Sequence, residues 1–126
     1  MTKGTYCLLM YLDRDKSIKI GKNKRKFRQG YYVYTGSALG GLHARLRRHL
    51  SKNKKLKWHI DYLLEHARIT DIAKVYSTRK LECRVNSLIK SSGGVPIKGF
   101  GSSDCKCDTH LHYFEKHPNI RIKTPL

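Results

Sequence analysis

Residues 5–12 (TYCLLMYL) form an almost unbroken apolar run, the pattern of a central strand buried on both faces, with Tyr6 at its beginning. Residues 13–16 read as a turn. Residues 17–21 then alternate Ile18 and Ile20 with Lys19, which predicts an antiparallel hairpin with the first strand, and residues 22–28 read as a basic loop. Tyr32 and Tyr34 alternate with Val33, the period of a short aromatic strand that Gly36 ends. A glycine-broken turn over 36–41 leads into a helix whose buried stripe is Leu42, Leu46 and Leu50. Arg45 and His49 lie beside that stripe. Residues four apart stand one above the other on a helix, so guanidinium and imidazole project together from the rim between core and solvent.

Residues 51–57 are a lysine-rich connection. The spacing of Ile60, Leu63 and Leu64 predicts a helix over 58–67, in which His59 and Asp61 are read as hydrogen-bonded structural groups beside the core. Residues 69–76 predict a strand, and Leu81, Val85, Leu88 and Ile89 a third helix whose apolar stripe Glu82 borders. Gly93 and Gly94 end it, residues 95–100 suggest a short strand, and 101–104 a turn. After Thr109 no period stands out, and the tail from His117 is expected to pack along the surface. The predicted fold is α+β: one domain over residues 1–126, a small mixed or antiparallel sheet flanked by helices.

Charge changes the picture. The chain of 126 residues carries a formal +18, and residues 1–57 hold sixteen Lys and Arg against two Asp, a formal +14 on the half that contains the Tyr34–His49 stretch. Such a surface suggests a polyanion partner, because cations that neutralise phosphates release condensed counterions. Lys22, Lys24, Arg25, Lys26 and Arg28, then Arg47, Arg48, Lys52, Lys54 and Lys55, are the candidate nucleic-acid contacts; a merely soluble basic surface is the alternative. No apolar run approaches the ~18 residues of a membrane span, and no stretch has the shape of a signal peptide. A cytoplasmic protein with reduced thiols is expected, since four cysteines are not the dense framework of a small secreted domain.

GTY at residues 4–6, YTG at 34–36, Arg45 on the following helix and Glu82 on a later one resemble the GIY-YIG nuclease superfamily. YTGSA followed by ARLRRHL is similar to its homing-endonuclease and excision-nuclease members. WHIDYLL at 58–64 and FGSSDCKC at 100–107 resemble a poorly characterised, largely archaeal branch, some of whose members are fused to an endonuclease III-type DNA glycosylase. The superfamily pattern covers roughly residues 4–90, the branch pattern nearly the whole chain. The resemblance implies a three-stranded antiparallel core flanked by helices, here with additions. It also implies a DNA endonuclease, with a repair role suggested by the fusion, and a catalytic set of Tyr6, Tyr34, Arg45, His49 and Glu82 around one divalent ion.

Those residues suit phosphodiester hydrolysis. Glu82 supplies a carboxylate for one Mg²⁺ or Mn²⁺ whose remaining shell is water, and with only three glutamates in the chain an acid-rich two-metal site is disfavoured. Arg45 offers a fixed, always-charged fork to the scissile phosphate, with His49 assisting. Tyr6 and Tyr34 are the proton-handling and water-orienting pair; a phenol of pKa about 10 needs cationic neighbours to ionise. Either tyrosine taken alone is equally well read as a core aromatic. Two departures from the superfamily stand out. Threonine replaces the apolar middle residue in both tripeptides, and residues 93–104 lack the usual late asparagine, leaving Ser102, Ser103 or Asp104 to substitute.

Cys105, Cys107, His110 and His112, with Cys83 a possible neighbour, are a second constellation. Zinc is one reading; C-x-C followed by H-x-H is tighter than usual finger spacings, so structural cysteines and histidines are the favoured one. The loop 36–41 lacks the Lys-Ser/Thr ending of a triphosphate-binding loop. A non-catalytic DNA- or RNA-binding module on the same fold is the competing function, and the small size suggests that another protein supplies targeting.

Overall fold

The structure, a computed structural model, describes residues 3–20, 22–38, 41–51, 59–76, 82–98, 100 and 109–118, and only the backbone of Glu82. Along the described chain run β1 (Gly4–Leu12), β2 (Lys16–Ile20), β3 (Asn23–Phe27), β4 (Gly30–Ala38), α1 (Leu42–Leu50), α2 (His59–Leu64), β5 (Arg68–Tyr76), α3 (Glu82–Ser91), β6 (Val95–Pro96) and β7 (Leu111–Phe114). Five strands make one sheet in the order β5-β1-β4-β7-β6, every neighbour antiparallel. Its β5-β1-β4 part is a three-stranded core, and β7 and β6 extend it. The α+β expectation holds.

β1 is central because its apolar run fills both faces. Tyr6, Leu8, Met10 and Leu12 point to one face, where Leu42 and Leu46 of α1, Ile60 and Leu63 of α2, and Phe100 bury them. Cys7 and Leu9 point to the other, against Val85 and Ile89 of α3 with Val33, Val75 and Phe114. The sheet is thus packed on both sides.

Three expectations are corrected. The second strand does not form a hairpin with β1; β2 pairs with β3, and the 22–28 stretch read as a basic loop contains that strand. The reason is anchoring. Phe27 is the one large apolar residue of β3 and is buried against Tyr32 and Phe100, so a strand of lysines is held by its last residue and by pairing with Ile18 and Ile20. Gly36 does not end the aromatic strand, which runs on to Ala38 in register with Gly4 of β1. Residues 95–100 form only the two-residue β6, whereas LHYF of β7, where no period stood out, sits fully buried beside β4.

α1 matches its expected bounds, and Ser51 caps it with its N–H on the Arg47 and Arg48 carbonyls. Leu50, expected in the buried stripe, is exposed, as is Leu88 of α3. α2 is described from His59 to Leu64 only; Trp58, the 52–57 connection and Leu81 lie outside the described residues. Among the described residues no helix is long and apolar enough to cross a membrane.

Candidate active site

The β1–β4 register sets the two tyrosines on one face. Tyr6 lies opposite Gly36 and Leu8 opposite Tyr34, so Tyr6 and Tyr34 are diagonal neighbours, with ring centroids 6.4 Å apart. The glycine of YTG is required by this packing: a Cβ at Gly36 falls onto the Tyr6 phenol, which lies over the strand at that point. The glycine of GTY has its own reason, since a Cβ at Gly4 collides with the backbone carbonyl of Val75 on β5. The two threonines point away from the tyrosines. Thr5 and Thr35 are buried on the α3 side, where the Thr35 hydroxyl lies 3.5 Å from the Cys7 thiol, so they pack where an apolar residue would.

α1 delivers the other two groups. His49 Nε2 lies 2.6 Å from the Tyr6 phenol oxygen, a buried hydrogen bond whose donor depends on the tautomer. The imidazole lies tilted at 5.3 Å from the Tyr6 ring and edge-on at 6.3 Å from that of Tyr34, making one three-ring cluster. One turn earlier, Arg45 Nη1 donates to the Ser37 carbonyl at 3.1 Å, beside the glycine under Tyr6. Exposure divides the set. Tyr6 and His49 are 1% and 3% exposed, whereas Tyr34 and Arg45 are half-buried and reach solvent. A cavity of about 410 Å³ opens beside His49, with Leu50, Glu65 and Arg68 on its walls; Tyr6, Tyr34 and Arg45 are not among its lining residues.

Glu82 opens α3, six residues beyond Tyr76, the β5 partner of Gly4; its side chain lies outside the described residues. The donor chemistry fits a hard cation: a carboxylate is the ligand class of Mg²⁺ and Mn²⁺, which complete their shell with other oxygens. Asn86, one turn further on, escaped the sequence reading. It is buried, donates from Nδ2 to the Thr109 carbonyl at 2.5 Å and ties α3 to the start of β7; its i+4 spacing from Glu82 was the available signal. Ser102, Ser103 and Asp104, the suggested substitutes for a late asparagine, lie outside the described residues.

Among the basic residues, Arg48 is held rather than free. Its fork grips the fully buried Asp61 carboxylate at 2.8 and 3.0 Å, which raises the guanidinium pKa further and gives Asp61 of α2 its structural partner. His59 meets the Phe100 ring edge-to-face at 5.5 Å. Arg28 lies over the Tyr113 ring at 4.5 Å. Lys22, Lys24, Lys26 and Arg47 are exposed and Arg25 half-buried, while Lys52, Lys54 and Lys55 lie outside the described residues.

His110, just before β7, and His112, on it, are both buried, and burial, followed by the charges of Lys90 and His110, lowers the His112 pKa to about 4. Cys105 and Cys107 lie outside the described residues, among which no three His, Cys, Asp or Glu side chains gather as a metal site. Reduced thiols are expected throughout, but Cys83 is disulfide-bonded, its partner lying outside the described residues. Cys7 is free, and burial pushes its thiol up to about 11 despite the Thr35 hydroxyl.

Fold and site together define an α+β domain that gathers two tyrosines from one face of an antiparallel sheet with a histidine and an arginine from the helix packed on it. Residues 5–124 match the family described as Domain of unknown function DUF123, and the chain belongs to that family. No curated protein and no solved structure matches it.

Proposed function

We propose that this protein is a metal-dependent DNA endonuclease of GIY-YIG type. The observation that carries the reading is the convergence of Tyr6, Tyr34 and His49 in one ring cluster, with Arg45 one turn from His49 and anchored beside Gly36. These residues are scattered over 43 positions of sequence, and packing alone does not require a tyrosine, a histidine and an arginine at one end of a sheet.

Exposure supports a division of roles. Tyr34 and Arg45 reach solvent, so they are the groups that touch a phosphodiester: Arg45 donates to the phosphate oxygens as charge develops, and the Tyr34 phenol orients the attacking water. Tyr6 is a positioning residue. Closed off from solvent, it fixes the His49 ring through their 2.6 Å bond. Glu82 would hold the cation, which when bound neutralises phosphate charge and lowers the pKa of its water. The +18 chain favours a nucleic-acid substrate, and the resemblance to the largely archaeal, glycosylase-fused branch favours DNA and a repair setting. A partner protein for targeting remains part of this proposal.

One observation favours the competing reading, a basic binding module without catalysis: Tyr6 and His49 are almost completely buried, as core residues are. Substitution separates the two. Glu82→Gln should abolish Mg²⁺- or Mn²⁺-dependent cleavage while DNA affinity stays equal or rises, since a metal ligand and a negative charge disappear together. Arg45→Ala should lower both binding and turnover, the latter by about 10²- to 10³-fold if one preorganised donor is lost. Wild type inactive on single-stranded, duplex, flapped and abasic DNA with either ion, and Glu82→Gln binding as wild type does, would leave the module.

A further inference from the structure

The upper side of the β2–β3 ribbon is the surface that the proposed catalytic cluster does not account for. Residues 16–28 hold seven Lys and Arg and no acid. Pairing sorts them by face. Ile18 and Ile20 of β2 and Phe27 of β3 are the buried underside, packed with Ile60 and Leu63 of α2, and Arg25, opposite Ile18, is half-buried on that same side. The upper side carries Ser17 opposite Lys26 and Lys19 opposite Lys24, all exposed. Among the described residues none of Lys19, Lys24 and Lys26 is paired with a carboxylate; the ion pair at the ribbon's base is Lys16 with Asp13.

Like charges directly opposite on neighbouring strands destabilise a pair, and a two-stranded ribbon is marginal to begin with. Lys19 facing Lys24 therefore costs stability in the free protein, a cost that a bound polyanion reverses. The underside fixes where that polyanion lies. Phe27 packs on Phe100 at 6.4 Å and Phe100 on Tyr34 at 6.3 Å, so the ribbon is joined through three rings to the proposed active site, on the same face of the sheet.

We propose that the β2–β3 ribbon is a duplex-DNA arm, its Lys19, Lys24 and Lys26 face entering the major groove and neutralising the flanking phosphates so that the duplex is held in register with Tyr34. The occupant follows from dimensions and charge. A major groove about 12 Å wide admits a two-stranded ribbon, and five residues per strand span about 17 Å, roughly half a turn of B-form DNA. The deep, narrow major groove of A-form RNA does not admit it. The proposal rests on the nucleic-acid part of the function proposed above, not on cleavage.

The test is binding of the full chain to a fluorescein-labelled duplex of about two helical turns, by anisotropy without divalent ions, over a range of NaCl concentrations. Replacing Lys19, Lys24 and Lys26 together by Gln should lower the log–log salt slope by about 2.7 and the affinity near 0.1 M salt on the order of 10²-fold, for three lost phosphate contacts. Its melting temperature should be equal or higher, because the facing lysines are gone. Arg25→Gln, on the underside, should change the slope by less than one contact. A wild-type slope in the triple variant, an Arg25→Gln effect as large as the triple's, or equal losses on a single strand or an RNA duplex would each overturn the arm. Should the triple variant not fold, Lys19→Gln, Lys24→Gln and Lys26→Gln are measured singly, each expected to lower the slope by about 0.9; no change in any of them overturns it too. No product is scored, so an active nuclease with an unchanged slope loses only the arm, and an inactive protein with a lowered slope loses only the nuclease.

Discussion

His112 stands on β7 with 1% of its surface exposed, and among the described residues its Nδ1 has no hydrogen-bond partner. Burial, then the positive charges of Lys90 and His110, lower its pKa from 6.5 to about 4, so the folded chain holds it neutral where the unfolded chain binds a proton. Stability from this group is therefore full above about pH 6.5 and lost as pH falls toward 4, in total about 3 kcal/mol. Urea unfolding at pH 7 and pH 4.5 should show most of that loss, and His112→Gln should remove it; an unchanged pH dependence in the variant would show that other groups carry it. At the scale of single residues, sequence spacing was informative where helix geometry applied and silent where register applied. Arg45 and His49 were legible as a pair because four residues is a helical turn. That Tyr6 and Tyr34 share a face depends on Tyr6 lying opposite Gly36, a pairing 30 residues apart in the chain, which no local period reveals.

The described part of α2 is six residues, too few to be stable alone, so its place depends on what it docks against. Ile60 and Leu63 give it an apolar side, and the Asp61–Arg48 pair fastens it to α1. The two ends of that pair are not equivalent. Asp61 is fully buried while Arg48 keeps 26% of its side-chain surface, so removing the arginine strands a charge without water and removing the aspartate does not. Arg48→Ala should cost about 3–5 kcal/mol and Asp61→Ala clearly less, measured by chemical denaturation; the reverse order would contradict the burial argument. The same elements show why parts of the fold were hard to read. β1 announces itself through a long apolar run and α1 through a leucine stripe. β3 has one anchoring phenylalanine among lysines, and β7 is buried on both faces within four residues that include a histidine, so neither carries a period. The hairpin expected between β1 and β2 failed for a related reason: alternation in residues 17–21 marks a strand but does not name its partner.

Across the whole molecule, one face of the sheet gathers α1, α2, the basic ribbon and the two tyrosines, and the other gathers α3 with the buried threonines, Cys7 and the histidines of β7. The proposed chemistry needs both. Tyr34, Arg45 and His49 come from the first face, while Glu82 enters at the start of α3, beyond the strand end where Tyr76 pairs with Gly4. The proposed cleavage therefore requires a cation held by Glu82 to meet the tyrosine and arginine side chains at that sheet end. Crystals of the full chain with a DNA duplex and Mn²⁺, read by anomalous scattering, test this most directly. The expected result is a single Mn²⁺ on the Glu82 carboxylate, with a phosphate between it and Arg45 and Tyr34 facing the same phosphate, and no ion there in Glu82→Gln. An ion bound only among Cys105, Cys107, His110 and His112, or none near Glu82 with DNA in place, would contradict the nuclease and leave a basic DNA-binding domain.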